Sequence, residues 1–259
     1  MANGPLHIAR TCSTLLLLAT LLSIASAPAQ VAPLAPRWLA GTPPPPVETF
    51  ASGLERHHID LTEPALLAAL ADRDPEVRSL AAAQLAAMDD HPALFQIIRA
   101  LENERDPQTQ VNIAGAATWL GSRRALEQLQ LLCQDTNMPS TARLDAARYV
   151  SNKESAACFS AVEQIERTEQ DPAIRVLAIE SATDYRGQSD KAAALATSAL
   201  TDLEPSVRIA AADALRHLRA TRAIPALSRA LEVDGDETAR EHLRETIRLL
   251  RLRSDRKDD

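Results

Sequence analysis

The sequence predicts an all-α protein, a right-handed α-solenoid of about five helical hairpins with capping half-repeats. Three observations carry this. A helix-initiating pentad returns at a nearly constant interval along most of the 259 residues. The positions that follow each pentad trace one helical face. No alternating strand pattern competes beyond residue 60.

The pentads are Asp74-Pro75-Glu76-Val77-Arg78, Asp106-Pro107-Gln108-Thr109-Gln110, Asp171-Pro172-Ala173-Ile174-Arg175 and Glu204-Pro205-Ser206-Val207-Arg208, with prolines 32, 65 and 33 residues apart. The long gap holds Met138-Pro139-Ser140-Thr141-Ala142-Arg143, whose proline has slipped one place, and a last copy, Asp236-Glu237-Thr238-Ala239-Arg240, lacks proline. At the Arg or Gln position the successive spacings are 32, 33, 32, 33 and 32. The acidic side chain caps free amides, and proline at the first helical position loses a donor that would have been unpaired anyway. Each pentad therefore starts a helix.

Counted from the Arg column, offsets of −1, +3 and +7 are mostly apolar, as in Val77, Ala81 and Leu85 or Val207, Ala211 and Leu215. They form the core stripe. The +5 column, Ala83, Gly115, Arg148, Glu180, Asp213 and Glu245, reads as mostly solvated. A second helix follows each first one, for example over 91–101 and 222–231, and such a hairpin buries its apolar face only by stacking on the next. Five full hairpins should span 75–234, preceded by a lone second helix at 62–71 and closed by a charged helix at 237–252.

The organisation follows. Residues 1–29 read as a signal peptide: Arg10, the apolar run Leu15 to Leu22, then the small residues Ala25 to Ala29 with cleavage after Ala29. The run from Cys12 to Ala27 falls short of the roughly 20 apolar residues of a membrane span. Residues 30–60 form a Pro-rich spacer and entry segment containing Trp38 and Pro43 to Pro46. The solenoid occupies 61–252 and a charged tail 253–259. The mature chain is expected to be secreted, to the periplasm, with no membrane span.

The pentads followed by Ala-rich helices, together with Arg222-Ala223-Ile224-Pro225-Ala226-Leu227, resemble HEAT repeats of the short type shared with phycobilisome lyases, over about 61–252. The resemblance implies that Asp74, Arg78, Asp171, Arg175 and Arg208 are ladder residues tying one repeat to the next. Some similar repeats form a di-iron hydroxylase whose metal is held by His-Glu pairs. This chain contains no His-Glu dipeptide, and His57, His58, His91, His217 and His242 include no i, i+4 pair. No catalytic residue, cofactor or metal is expected.

With 28 Lys plus Arg against 35 Asp plus Glu, a net charge of −7, the chain lacks the basic footprint of a nucleic-acid binder. The Arg-rich last helix reads as a polar cap. The expected function is a non-catalytic scaffold binding another protein. The competing readings are a lyase-like or enzyme-accessory protein acting on a modified partner, and a structural spacer. Trp119 falls in a mainly polar column beside Leu120, so it should point outward and is the candidate protein-binding residue; the alternative is that it folds over the edge of the adjacent repeat. Cys133 and Cys158 lie eight residues out of register, about 12 Å along a helix axis, and are expected to be buried, reduced thiols.

Overall fold

The computed structural model describes residues 49–151 and 156–255. The signal peptide, the spacer with Trp38 and the end of the tail lie outside the described residues. A short helix, α1 (Phe50–Arg56), precedes α2 (Glu63–Ala69). Then come five hairpins: α3 (Pro75–Ala87) with α4 (Leu94–Asn103), α5 (Pro107–Trp119) with α6 (Arg123–Leu132), α7 (Ser140–Tyr149) with α8 (Ala156–Thr168), α9 (Pro172–Thr183) with α10 (Ser189–Ala199), and α11 (Pro205–His217) with α12 (Ile224–Val233). The last helix is α13 (Glu237–Asp255). No strand occurs among the described residues.

The pentads initiate helices as their chemistry requires. Asp74, Asp106 and Asp171 accept the amides of Glu76, Thr109 and Ala173, each with proline in the first turn. Glu204 makes no such bond; Asp202, two residues earlier, accepts the Glu204 amide instead. α1 was not anticipated: residues 50–56 lie in what the sequence assigns to the entry segment. A Thr49 cap starts it, and Leu54 is wholly buried. The first unit is therefore a hairpin with a shortened first helix, and His57 and His58 lie at its turn.

First helices stack in parallel, as shown by contacts that advance together along α3 and α5. The Thr109 hydroxyl donates to the Pro75 carbonyl at 3.3 Å and the Asn112 amide to the Ser79 hydroxyl at 3.2 Å. The predicted core stripe is buried throughout except Ile174, which is partly covered. The +5 column departs from its solvated reading at two positions, because Ala83 and Gly115 are buried. At Gly115 the reason is the next helix: an added Cβ would fall inside the ring of Tyr149 on α7.

The ladder is real, and its carboxylates are not those of the pentads. Arg78 grips Glu104 with two nitrogens at 2.6 and 2.8 Å, Arg175 grips Asp202, and Arg208 grips Asp234. Each acid stands two residues before the acidic residue that opens the following repeat. The remaining guanidinium nitrogen donates back to the preceding turn, at Asp72 and Arg73 for Arg78 and at Asp202 and Leu203 for Arg208. One side chain thus ties two successive turns together, while the pentad aspartates serve as caps.

Candidate functional site

The regular ladder breaks in the middle of the solenoid, at α5 and α7. Gln110 replaces the arginine on α5 and keeps only the backward bond, to the Glu104 carbonyl at 2.7 Å; Asn137 stands where its carboxylate partner would be and bonds Asp135 instead. On α7, Arg143 is buried and donates Nε to the Cys133 carbonyl at 3.1 Å. The acid in its forward column, Glu169, accepts the Ser140 hydroxyl.

Cys133 and Cys158 are joined across this gap, with Cα atoms 5.5 Å apart. This overturns the expectation of two reduced thiols, although both cysteines are buried as anticipated. That expectation assumed second helices lying side by side in one register. Instead the end of α6 meets the first turn of α8, so eight positions of repeat offset do not translate into distance. The slipped proline at Pro139 and the missing rungs mark the place in the sequence where the register changes.

The same stretch carries an unusual helix face, buried in its middle and exposed at its end. α5 turns Gln108, Asn112, Gly115 and Trp119 to one side, successive turns of one helix. Gln108 donates to Asp145 of α7 at 2.9 Å, and Tyr149 lies over Gly115. Trp119, one turn beyond Gly115, is 59% exposed, and Met88, at the matching end of α3, is 46% exposed. Leu120 is buried, as the column argument required. Burial pushes the Asp145 carboxyl up to about 6 against the opposing pull of Gln108 and Arg148. Burial, with the charge of Asp145 adding to it, also raises the Tyr149 hydroxyl. Arg148 in turn reaches Asp184, the C-cap of α9, at 3.5 Å. Trp119 was legible from its column; Asp145 and the Tyr149–Gly115 contact carried no signal that a single chain reveals, because each depends on which neighbour the stacking supplies.

No group of three or more His, Cys, Asp or Glu side chains that could hold a metal ion occurs among the described residues, and no described helix is long and apolar enough to cross a membrane.

Stacked hairpins, in-phase helix caps and an arginine–carboxylate ladder define a helical-repeat solenoid. The match of residues 63–150 and 160–248 to the model for HEAT repeats is specific, and the chain belongs to the HEAT-repeat family. That match is to HEAT repeats as such and does not carry the finer likeness to phycobilisome-lyase repeats. No curated protein matches the chain significantly. Among solved structures, human deoxyhypusine hydroxylase in complex with glycerol is similar, with 18% identity over 73% of each chain and a TM-score of 0.41.

Proposed function

We propose that this chain is a secreted, periplasmic and non-catalytic scaffold that binds another protein, with Trp119 at the contact. The observation that carries the reading is the exposure of Trp119 on a helix face whose neighbours are fixed by packing and hydrogen bonds. Tryptophan on such a face supplies large apolar area and one donor with little ordering cost, the profile of an interface anchor. HEAT repeats suit this use, since stacked hairpins present a long continuous surface. The leader-like residues 1–29 support export, and a buried disulfide supports an oxidising compartment.

A second reading, an enzyme-accessory or lyase-like protein acting on a partner, draws on Asp145. A half-buried carboxyl raised to about 6, beside a tyrosine, is the kind of perturbed pair found at functional sites. The two readings separate on the purified protein and in the cell. The scaffold reading expects a colourless, metal-free protein and a specific polypeptide crosslinked from a photoreactive residue at position 119, absent when that residue replaces exposed Leu203. A bound chromophore or metal, or turnover abolished by Asp145→Asn, would establish the second reading instead.

A further inference from the structure

Along the helix face that ends in Trp119 stands a carboxylate without a cation of its own. Asp145 Oδ2 accepts the Gln108 amide at 2.9 Å. Oδ1 accepts no hydrogen bond from the described residues and is not sealed from the surface. Arg148, on the same helix, is the charged group that acts on Asp145 among the described residues, and it is drawn the other way, to Asp184 at the end of α9. From α5 Asp145 meets the neutral Gln108, and on its own helix Tyr149 feels its charge. Glu180 of α9 lies one repeat further along, and the charged groups of α6 and α8, which pack on α7 from the second-helix layer, do not act on it.

The stacking sets the spacing. Tyr149 lies over Gly115 and fixes the register of α7 against α5. Asp145 is one turn before Tyr149, and Trp119 is one turn beyond Gly115, so the two ends of the row stand two helical turns apart, about 11 Å. Read along the stack, the row is an open carboxylate oxygen, a partly covered phenol ring and an exposed indole. The cations that follow Trp119 are already engaged, Arg123 with Glu127 and Arg124 with Glu102, so they neither neutralise Asp145 nor turn the face basic.

We propose that this face takes a helical segment of the partner protein, which sets a lysine or arginine on Asp145 and leucine-type side chains along Tyr149 and Trp119. A helix laid along α5 repeats its pitch, so side chains at i, i+4 and i+7 meet the three groups in turn. The charge follows from Asp145. Burial makes its ionisation costly, and a cation brought by the partner offsets that cost through a charge-assisted hydrogen bond, whereas a carboxylate there is repelled. The inference rests on the scaffold reading and gives its partner a chemistry. It also couples docking to pH, because the lysine displaces the proton of Asp145. A carboxyl that titrates at about 6 is roughly one-tenth ionised at pH 5, so affinity should be about tenfold lower there than at pH 7.5.

The probe is a fluorescein-labelled helical peptide of alanine and glutamine, with a lysine at its fifth position and leucines at its ninth and twelfth. Fluorescence anisotropy with the full chain at pH 7.5 should show saturable binding, at least tenfold tighter than that of the same peptide with glutamate in place of the lysine. Asp145→Asn should remove both the preference for lysine and the loss of affinity at pH 5. Trp119→Ala should weaken the lysine peptide at least tenfold and leave its pH dependence in place. Failure of the lysine peptide to bind, equal affinity for the lysine and glutamate peptides, or a pH dependence that persists in Asp145→Asn each overturns the proposal. With crosslinking from position 119 intact, the scaffold reading survives any of these failures.

Discussion

Cys158, in the first turn of α8, is bonded to Cys133 at the end of α6, and the bond spans the only stretch of internal repeats in which the arginine–carboxylate ladder is missing among the described residues. The rungs on either side hold successive turns together through Arg78 with Glu104 and Arg175 with Asp202. Between them the covalent link does the same work for the second helices. A peptide map of the unreduced, alkylated protein should contain a Cys133–Cys158 crosslinked pair. Closing a loop with a sequence separation of 25 corresponds to about 3–4 kcal/mol in the chain-entropy model, so Cys133→Ala with Cys158→Ala should lower unfolding free energy by about that much. Free thiols in the map, or an unchanged denaturation midpoint, would refute the substitution.

The intact rungs give a second prediction. Asp234 is held below the usual carboxylate range by its hydrogen bonds from Arg208, against the opposing effect of burial. For Glu104 burial pushes upward, but Arg78 and the amides of Asp106 and Arg105 outweigh it. Because these folded-state values are depressed, their contribution is present above about pH 4 and is lost as pH falls through the folded values. Asp234→Ala leaves Arg208 without its carboxylate and should cost about 3 kcal/mol at neutral pH, measured by urea denaturation. Gln110→Ala, at a missing rung, should cost less than about 1.5 kcal/mol.

Asp145 behaves in the opposite sense. Burial raises its folded pKa to about 6 from the ordinary 3.8 of a free aspartate, so between those values the native state binds the extra proton and stability falls as pH rises. Asp145→Asn keeps an oxygen for Gln108 and should stabilise the protein by about 1–3 kcal/mol at pH 7, with little effect at pH 3.5. Equal stability of the two proteins across this window would show that burial does not raise Asp145.

Much of this architecture was legible because it repeats. Capping chemistry, the core stripe and five hairpins follow from residues such as Pro75 and Leu85 whose role is the same in every copy. The departures are where one copy differs: Gly115 was read as solvated because its column is charged elsewhere, and the cysteines were read as separate because one register was applied to a stretch that has another. The ladder's acids were assigned to the pentads because Glu104 and Asp234 stand only two residues away from them, a distance that periodicity alone does not resolve. The outward direction of Trp119 was legible, since its column is polar and Leu120 fills the inward place.

The Tyr149–Gly115 contact can be tested directly. Gly115→Ala gains helix propensity of roughly 1 kcal/mol but drives a methyl group into the ring, and overpacking of this kind costs about 1–3 kcal/mol. The single variant should be neutral to destabilised, and the same substitution in a Tyr149→Ala background should be stabilising. A double-mutant cycle with no coupling would show that the ring does not rest on Gly115.

The most direct test of the scaffold account is the affinity of the polypeptide crosslinked at position 119 for the wild-type chain and for Trp119→Ala, measured by calorimetry alongside thermal unfolding. Trp119 is exposed, so its loss should change stability by less than about 1 kcal/mol while weakening binding at least tenfold, about 1.4 kcal/mol. Unchanged affinity with unchanged stability would contradict the account by removing Trp119 from the contact.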